Sequence, residues 1–250
     1  MDPLYRTVVG GARTLFFAQG THFRMEGEEN VPRVGGAVVA ANHTSYLDFM
    51  YAGLPARRHR RYVRFMAKQS IFAHPVAGPL MRGMKHIPVD RAGGSQAFKD
   101  AVRALKDGEV VGIFPEATMS RSFELKELKP GAVKMAQVAG VPILPTTIWG
   151  GHRVWTKDLP TRRGRANIPV FITTGELLEV GRREDVGEAT ARLKAAMQAQ
   201  LDAQQAAYPP LTGDDLRWLP ARLGGTAPTL EEAYEKDAAD MRRTRDEFTG

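Results

Sequence analysis

The sequence predicts an α/β domain built on one central, mixed and mostly parallel sheet flanked by helices, with an amphipathic helix at its N-terminus. Three observations carry this. Short apolar runs alternate with stretches of helical periodicity between residues 37 and 208. Several of those runs end in polar, turn-forming residues, the place where open α/β sheets gather their chemistry. The 250 residues suffice to bury the core of one such domain. They divide into an N-terminal helix at 1–20, a main domain at 21–208 and a charged C-terminal extension at 209–250.

In chain order, residues 3–19 place Leu4, Tyr5, Val8, Val9, Ala12, Leu15 and Phe16 on one helical stripe, with Arg6 and Arg13 off it. Gly10 and Gly11 weaken that helix by roughly 1 kcal/mol each relative to Ala. It either packs on the domain or lies in a membrane interface. His22 to Gly27 reads as an edge strand. Ala37 to Ala40 reads as a short buried strand that runs into Asn42-His43-Thr44-Ser45, and a helix resumes at Tyr46. Asp48 follows His43 by five positions. Residues five apart do not share a helical face, so the two meet only if His43 lies in the turn and Asp48 in the first helical turn.

Tyr62 to Ala67 is a strand ending at Lys68. Ile71 to Met84 is apolar but broken by Pro75, Gly78 and Pro79, which divides it into helical pieces. His86 to Asp90-Arg91 is a short strand. Ser95 to Lys106 is a helix with Ser95 as N-cap and Gly108 at its stop. Val110 to Phe114 is a buried strand leading into Pro115-Glu116-Ala117-Thr118-Met119-Ser120-Arg121. Pro130 to Ala139 is a helix ended by Gly140. Val141 to Trp149 and Ile168 to Thr174 are strands. Asp185 to Tyr208 is a helix with Val186, Leu193, Met197 and Leu201 inward. Glu231 to Phe248 is a helix candidate with charges of both signs, docked or partly disordered.

Composition narrows the chemistry. The absence of cysteine excludes disulfides, thiol catalysis and Cys-ligated zinc. The net charge of +7 points to an anionic partner, a membrane surface or a phosphorylated substrate above nucleic acid, because no nucleic-acid-binding motif accompanies the basic run Arg57-Arg58-His59-Arg60-Arg61. No run is long enough to span a bilayer, and no signal peptide is expected.

Four strand-end segments occur in one order: Asn42-His43-x4-Asp48, Ile87-Pro88-Val89-Asp90-Arg91, Phe114-Pro115-Glu116-Ala117-Thr118 and Val141-Pro142-Ile143-Leu144-Pro145. Together they resemble the PlsC-type glycerolipid acyltransferases, the 1-acyl-sn-glycerol-3-phosphate acyltransferases, over roughly residues 20–180. The resemblance implies His43 as catalytic base and Asp48 as its orienting partner. It implies Arg91 as the residue holding the acceptor's phosphate and Glu116 on the acceptor hydroxyl's side. Lys68, Thr118 and Lys129-Pro130-Gly131 match further family positions. Where the family commonly reads Phe-Pro-Glu-Gly-Thr-Arg-Ser, this chain has Ala117 and Met119. Ala enters positive φ less easily than Gly, and loss of the Arg removes a phosphate contact for which Arg121 is the nearest substitute.

The implied reaction moves an acyl group from acyl-CoA or acyl carrier protein to the sn-2 hydroxyl of lysophosphatidate. A neutral hydroxyl needs a base, and imidazole suits that task near neutral pH. No metal or organic cofactor is implied. The expected setting is peripheral, on the cytoplasmic face of the cell membrane, with anionic lipid as partner and no nucleic acid. A long apolar groove for the acyl chain is sought in Ile71–Met84 or Val141–Trp149. The alternatives are the same chemistry on another lipid or glycolipid acceptor, and a non-catalytic basic protein that binds membrane or nucleic acid.

Overall fold

The computed structural model describes residues 3–90, 94–162 and 164–249. Seven strands form one sheet: β1 (His22–Glu26), β2 (Ala37–Ala41), β3 (Val63–Lys68), β4 (Ile87–Val89), β5 (Val110–Ile113), β6 (Ile143–Trp149) and β7 (Pro169–Thr174). Their order is β1-β7-β6-β2-β5-β3-β4. β6, β2, β5, β3 and β4 run parallel; β7 pairs antiparallel to β6, and β1 runs parallel to β7. The sheet is therefore mixed and mostly parallel, as the alternation of apolar runs and helices requires.

Helices cover both faces. α1 (Pro3–Ala18) and the short α2 (Asp48–Ala52) lie on one, and α5 (Gly94–Lys106), α6 (Gly131–Ala139) and α7 (Val186–Ala207) on the other. Between α1/α2 and α5 come α3 (Gln69–Ala73) and α4 (Ala77–Gly83), the two pieces into which the proline-broken segment divides. β2 shows why both faces need cover. Val38 and Ala40 point into the core under α5, α6 and α7, while Val39 and Ala41 point into the core under α1 and α2, and all four are buried.

Several local expectations shift. The helix after His43 begins at Asp48 rather than Tyr46, because the Ser45 and Asp48 side chains bond the intervening backbone N–H groups. α5 begins at Gly94, one residue before the expected cap Ser95. α7 is capped by Asp185, which accepts from the Glu188 N–H at 2.9 Å, a contact worth about 1 kcal/mol. α1 packs through Tyr5 and Phe16 but leaves Leu15 and Phe17 exposed. The Tyr5 hydroxyl donates to the Val63 carbonyl at 2.7 Å, which ties α1 to the sheet. The C-terminal helix α8 (Leu230–Thr249) rests on the domain through buried Ala233 and Asp237.

Candidate active site

The five parallel strands deliver their C-terminal ends to one edge of the sheet. His43 follows β2 there, Lys68 ends β3 and Glu116 follows β5. Asn42 fixes the start of the turn: its amide accepts from the Ile148 N–H at 2.7 Å and donates to the Ile148 carbonyl at 3.0 Å, tying β2's exit to β6. His43 lies in the turn and Asp48 is the first residue of α2, the arrangement their spacing needs if they are to meet. His43 Nδ1 sits 3.1 Å from Asp48 Oδ2. That same oxygen accepts the Thr44 and Ser45 N–H groups, both at 2.6 Å. Asp48 is wholly buried, whereas the His43 side chain keeps 22% of its surface exposed. One end of the pair is thus anchored in the protein and the other is open.

The surroundings hold the imidazole plane. The Phe114 ring stacks on His43 with centroids 4.2 Å apart. The segment after β6 closes behind Asp48, where Gly151 is required: a Cβ there would stand 2.8 Å from the Tyr51 ring. The Ser45 hydroxyl donates to the Trp155 carbonyl at 2.8 Å and accepts from the Leu47 N–H, so it serves the turn. Burial raises the Asp48 carboxyl above its ordinary range, against hydrogen bonds from His43, Ser45 and Thr44 that lower it.

Glu116 is buried, and both its oxygens meet backbone. Oε1 accepts the His43 N–H at 2.7 Å and Oε2 accepts the Lys126 N–H at 2.9 Å. Burial pushes its carboxyl up to about 7 against those two bonds. Reaching a substrate would cost Glu116 one of them, so its observed place is as a brace for the histidine's backbone. Ser120 N–H donates to the His43 carbonyl at 2.7 Å, so one loop grips His43 on both sides.

Ala117 takes φ 64, the left-handed conformation that the glycine of the common family pattern adopts freely. Met119 is buried, its sulfur 3.6 Å from the Thr156 hydroxyl. Arg121 is corrected by the structure as the substitute phosphate contact. Its guanidinium is buried and already bonds Asp158 at 2.5 Å, Asp240 at 2.6 Å and Asp237. A phosphate would have to displace one of these carboxylates. Thr118 likewise turns to Asp237, donating to it at 2.9 Å. Lys68 is exposed at the end of β3. Arg91 lies outside the described residues. Lys129 donates its N–H to the Pro115 carbonyl at 2.8 Å and Pro130 precedes α6.

Of the two candidate acyl grooves, Val141–Trp149 is corrected: every residue of β6 is buried in the core. The Ile71–Met84 segment exposes Ile71, Val76 and Leu80. Among the described residues, no group of three or more acidic or histidine side chains is placed to hold a metal ion.

The family model described as Acyltransferase matches residues 22–149, which hold β1 to β6 and the His43 turn. The chain belongs to the Acyltransferase family. Among similar proteins, the 1-acyl-sn-glycerol-3-phosphate acyltransferase of Bacillus subtilis is 34% identical over 124 residues, covering 49% of this chain and 60% of that protein. That of Borreliella burgdorferi is 27% identical over 168 residues, 64% of this chain and 63% of that protein. This Acyltransferase chain therefore spans about three fifths of the length of these two curated relatives. The crystal structure of PlsC, the 1-acyl-sn-glycerophosphate acyltransferase of Thermotoga maritima, superposes with a TM-score of 0.68 at 22% identity, covering 83% of this chain and 81% of that one. That likeness establishes the fold.

Lys126 and Asp237 carry no signal in the local sequence. Lys126 follows the third block by several residues, and Asp237 sits in a helix outside the family-matched segment. The Lys126 ammonium, buried at 2% exposure, donates to Asp237 at 2.8 Å and also bonds the Thr118 hydroxyl.

Proposed function

We propose that this chain transfers a fatty acyl group from a thioester, acyl-CoA or acyl carrier protein, to the sn-2 hydroxyl of lysophosphatidate, giving phosphatidate for phospholipid synthesis. The observation that carries this is the His43–Asp48 pair, with a half-open imidazole backed by a buried carboxylate at 3.1 Å. With Nδ1–H donating to Asp48, Nε2 is the basic nitrogen. The acceptor O–H gives its proton to Nε2 as its oxygen attacks the thioester carbonyl. Asp48 steadies the imidazolium formed. When the tetrahedral intermediate collapses, the C–S bond breaks and the leaving sulfur takes that proton. No nucleophile of the protein is needed.

The names of the similar proteins support lysophosphatidate as acceptor. Arg91 and Lys68 are proposed for its phosphate by the family resemblance. Ile71, Val76 and Leu80, exposed just after Lys68, offer apolar surface to the acyl chain. We place the protein at the cytoplasmic face of the cell membrane. Among the described residues, no helix is long and apolar enough to cross a membrane. Arg6, Arg13, Arg33, Arg57, Arg58 and Arg60 line three adjoining grooves beside α1, one of about 610 Å³, and make no ion pair among the described residues. With the exposed Leu15 and Phe17, they suit an anionic lipid surface.

Met119 favours one second reading, the same transfer to an acceptor without the phosphate, since a thioether stands where the family commonly has Arg. Mass spectrometry of products from lysophosphatidate and from non-phosphorylated acceptors, each with a panel of acyl thioesters, tests both readings. The expected result is phosphatidate from wild type and none from His43→Ala. Product from the other acceptors alone would move the assignment to them. Product undiminished in a folded His43→Ala protein would overturn the mechanism.

A further inference from the structure

His43 is gripped by a loop, and the loop has its own anchor. Glu116 takes the His43 N–H and the Ser120 N–H takes the His43 carbonyl, so the histidine's backbone moves with residues 116–126. Glu116 Oε2 in turn takes the N–H of Lys126. The Lys126 side chain ends on Asp237 of α8, and the other oxygen of that carboxylate holds Arg121. Asp237 is only 5% exposed, and it faces three partners from one loop: Lys126, Arg121 and Thr118.

We propose that Asp237 is a positioning residue for His43: it fixes the Lys126–Arg121 loop and, through Glu116, the backbone that carries the base. The residues matched by the family model end at 149, so the loop lies inside the matched segment and its anchor, Asp237, lies outside it.

The physical case is that buried cations are costly without a counter-charge. Lys126 and Arg121 are both below 10% exposure, and in this structure they reach their carboxylates mainly across the gap to α8. Loss of the Asp237 charge leaves the ammonium of Lys126 buried beside the Thr118 hydroxyl and the Tyr234 ring, with no counter-charge among its hydrogen-bond partners. The loop then has reason to swing Lys126 outward. Its backbone N–H would move with it, and Glu116 would lose the second of its two holds. Displacements of about an ångström at a reacting group cost up to about 10²-fold in rate.

The kcat arm of the test rests on the acyl-transfer reading; the exchange arm does not. Asp237→Asn keeps the shape and removes the charge. The expected result is a fall in kcat of about tenfold or more, with the acceptor KM within about twofold and faster hydrogen exchange at the His43 amide. Tyr234→Phe is the control. It removes the hydroxyl that accepts the Glu127 N–H, a second contact between α8 and the same loop, and keeps the ring that faces the Lys126 ammonium. It is expected to leave kcat and His43 exchange at wild-type values. Wild-type kcat and exchange in Asp237→Asn would overturn the proposal. So would equal losses in Tyr234→Phe, which would mean that α8 acts by docking alone. If Asp237→Asn does not fold, Asp237→Glu carries the same criteria, because it keeps the negative charge but displaces it by one methylene from the positions that hold Lys126 and Arg121. A wild type without His43-dependent turnover would overturn the acyl-transfer reading, and the exchange rates alone would then decide the role of Asp237.

Discussion

Around the His43 turn, at the C-terminal ends of the parallel strands, charge is buried and bound. Asp48, Glu116, Lys126, Arg121 and Asp237 are each under 10% exposed, and each is fixed by named hydrogen bonds. At the opposite ends, Arg33, Arg57, Arg58 and Arg60, before β2 and β3, are exposed and make no ion pair among the described residues, while Glu109, before β5, pairs with Arg64 at 3.4 Å. There Arg57, Arg58 and Arg60 line grooves, and only their neighbour Arg61 is committed, donating to the Pro32 carbonyl at 2.8 Å and to that of Gly108. The excess of +7 is therefore no measure of the site's own electrostatics. One end of the sheet holds charges still, which suits the proton transfer proposed for His43. The other leaves the arginines that line its grooves free, which suits a fluid, variable, anionic partner.

The sharpest way to break this contrast is at Asp48. Asp48→Asn keeps the shape but turns a carboxylate that accepts three contacts into an amide, which favours the wrong imidazole tautomer. A fall in kcat on the order of 10²–10⁴-fold is expected, read by single-turnover assays on protein of native circular dichroism. Activity within threefold of wild type would remove Asp48 from its orienting role. At the other end, Arg57→Glu with Arg58→Glu is expected to weaken binding to anionic vesicles about tenfold or more, at roughly 1 kcal/mol per basic residue lost. Sedimentation at rising salt checks this, and salt-insensitive binding would deny the arginines their part.

Glu116 sharpens the contrast through pH. Its folded carboxyl titrates at about 7 against an ordinary 4.5. Between those values the folded protein keeps a proton that the unfolded chain has released, so its contribution to stability falls as pH rises through that window. The slope approaches about 1 kcal/mol per pH unit. Denaturation midpoints from pH 5 to 7 should fall more steeply in wild type than in Glu116→Gln, and parallel slopes would place the titration elsewhere. The smallest effect belongs to Ala117. Glycine is freer at φ 64, so Ala117→Gly is expected to stabilise by about 1 kcal/mol or less, seen as a raised Tm.

What could be read in the chain were features with a short period or a short span. Strands and helices follow from apolar spacing, and the pairing of His43 with Asp48, implied by the family resemblance, is possible at a five-residue interval only in the turn-and-first-turn geometry seen. The break in Ile71–Met84 follows from Pro75, whereas Gly78 and Pro79 fall within the first turn of α4 and do not divide it. What could not be read is what tertiary packing decides. Arg121 looks in sequence like a phosphate ligand, but three aspartates from residues 158, 237 and 240 claim it. Val141–Trp149 is apolar in the way a groove would be, but burial on both faces makes it the core's central support. No local pattern announces that Lys126 will find Asp237 more than a hundred residues on.

The pairing of β1 with β7 sets a timetable. His22 meets Pro169, so the earliest strand in the chain waits for the last one before it has a neighbour. At about 5–20 residues per second, a ribosome takes on the order of ten seconds to make the intervening chain. Throughout that wait β1 is a bare ribbon carrying Phe23 and Met25. Arg24 and Glu26 alternate with them, and charge on a waiting strand discourages pairing with a stranger. The first of the seven strands in the chain gains its neighbour only when the last has been made.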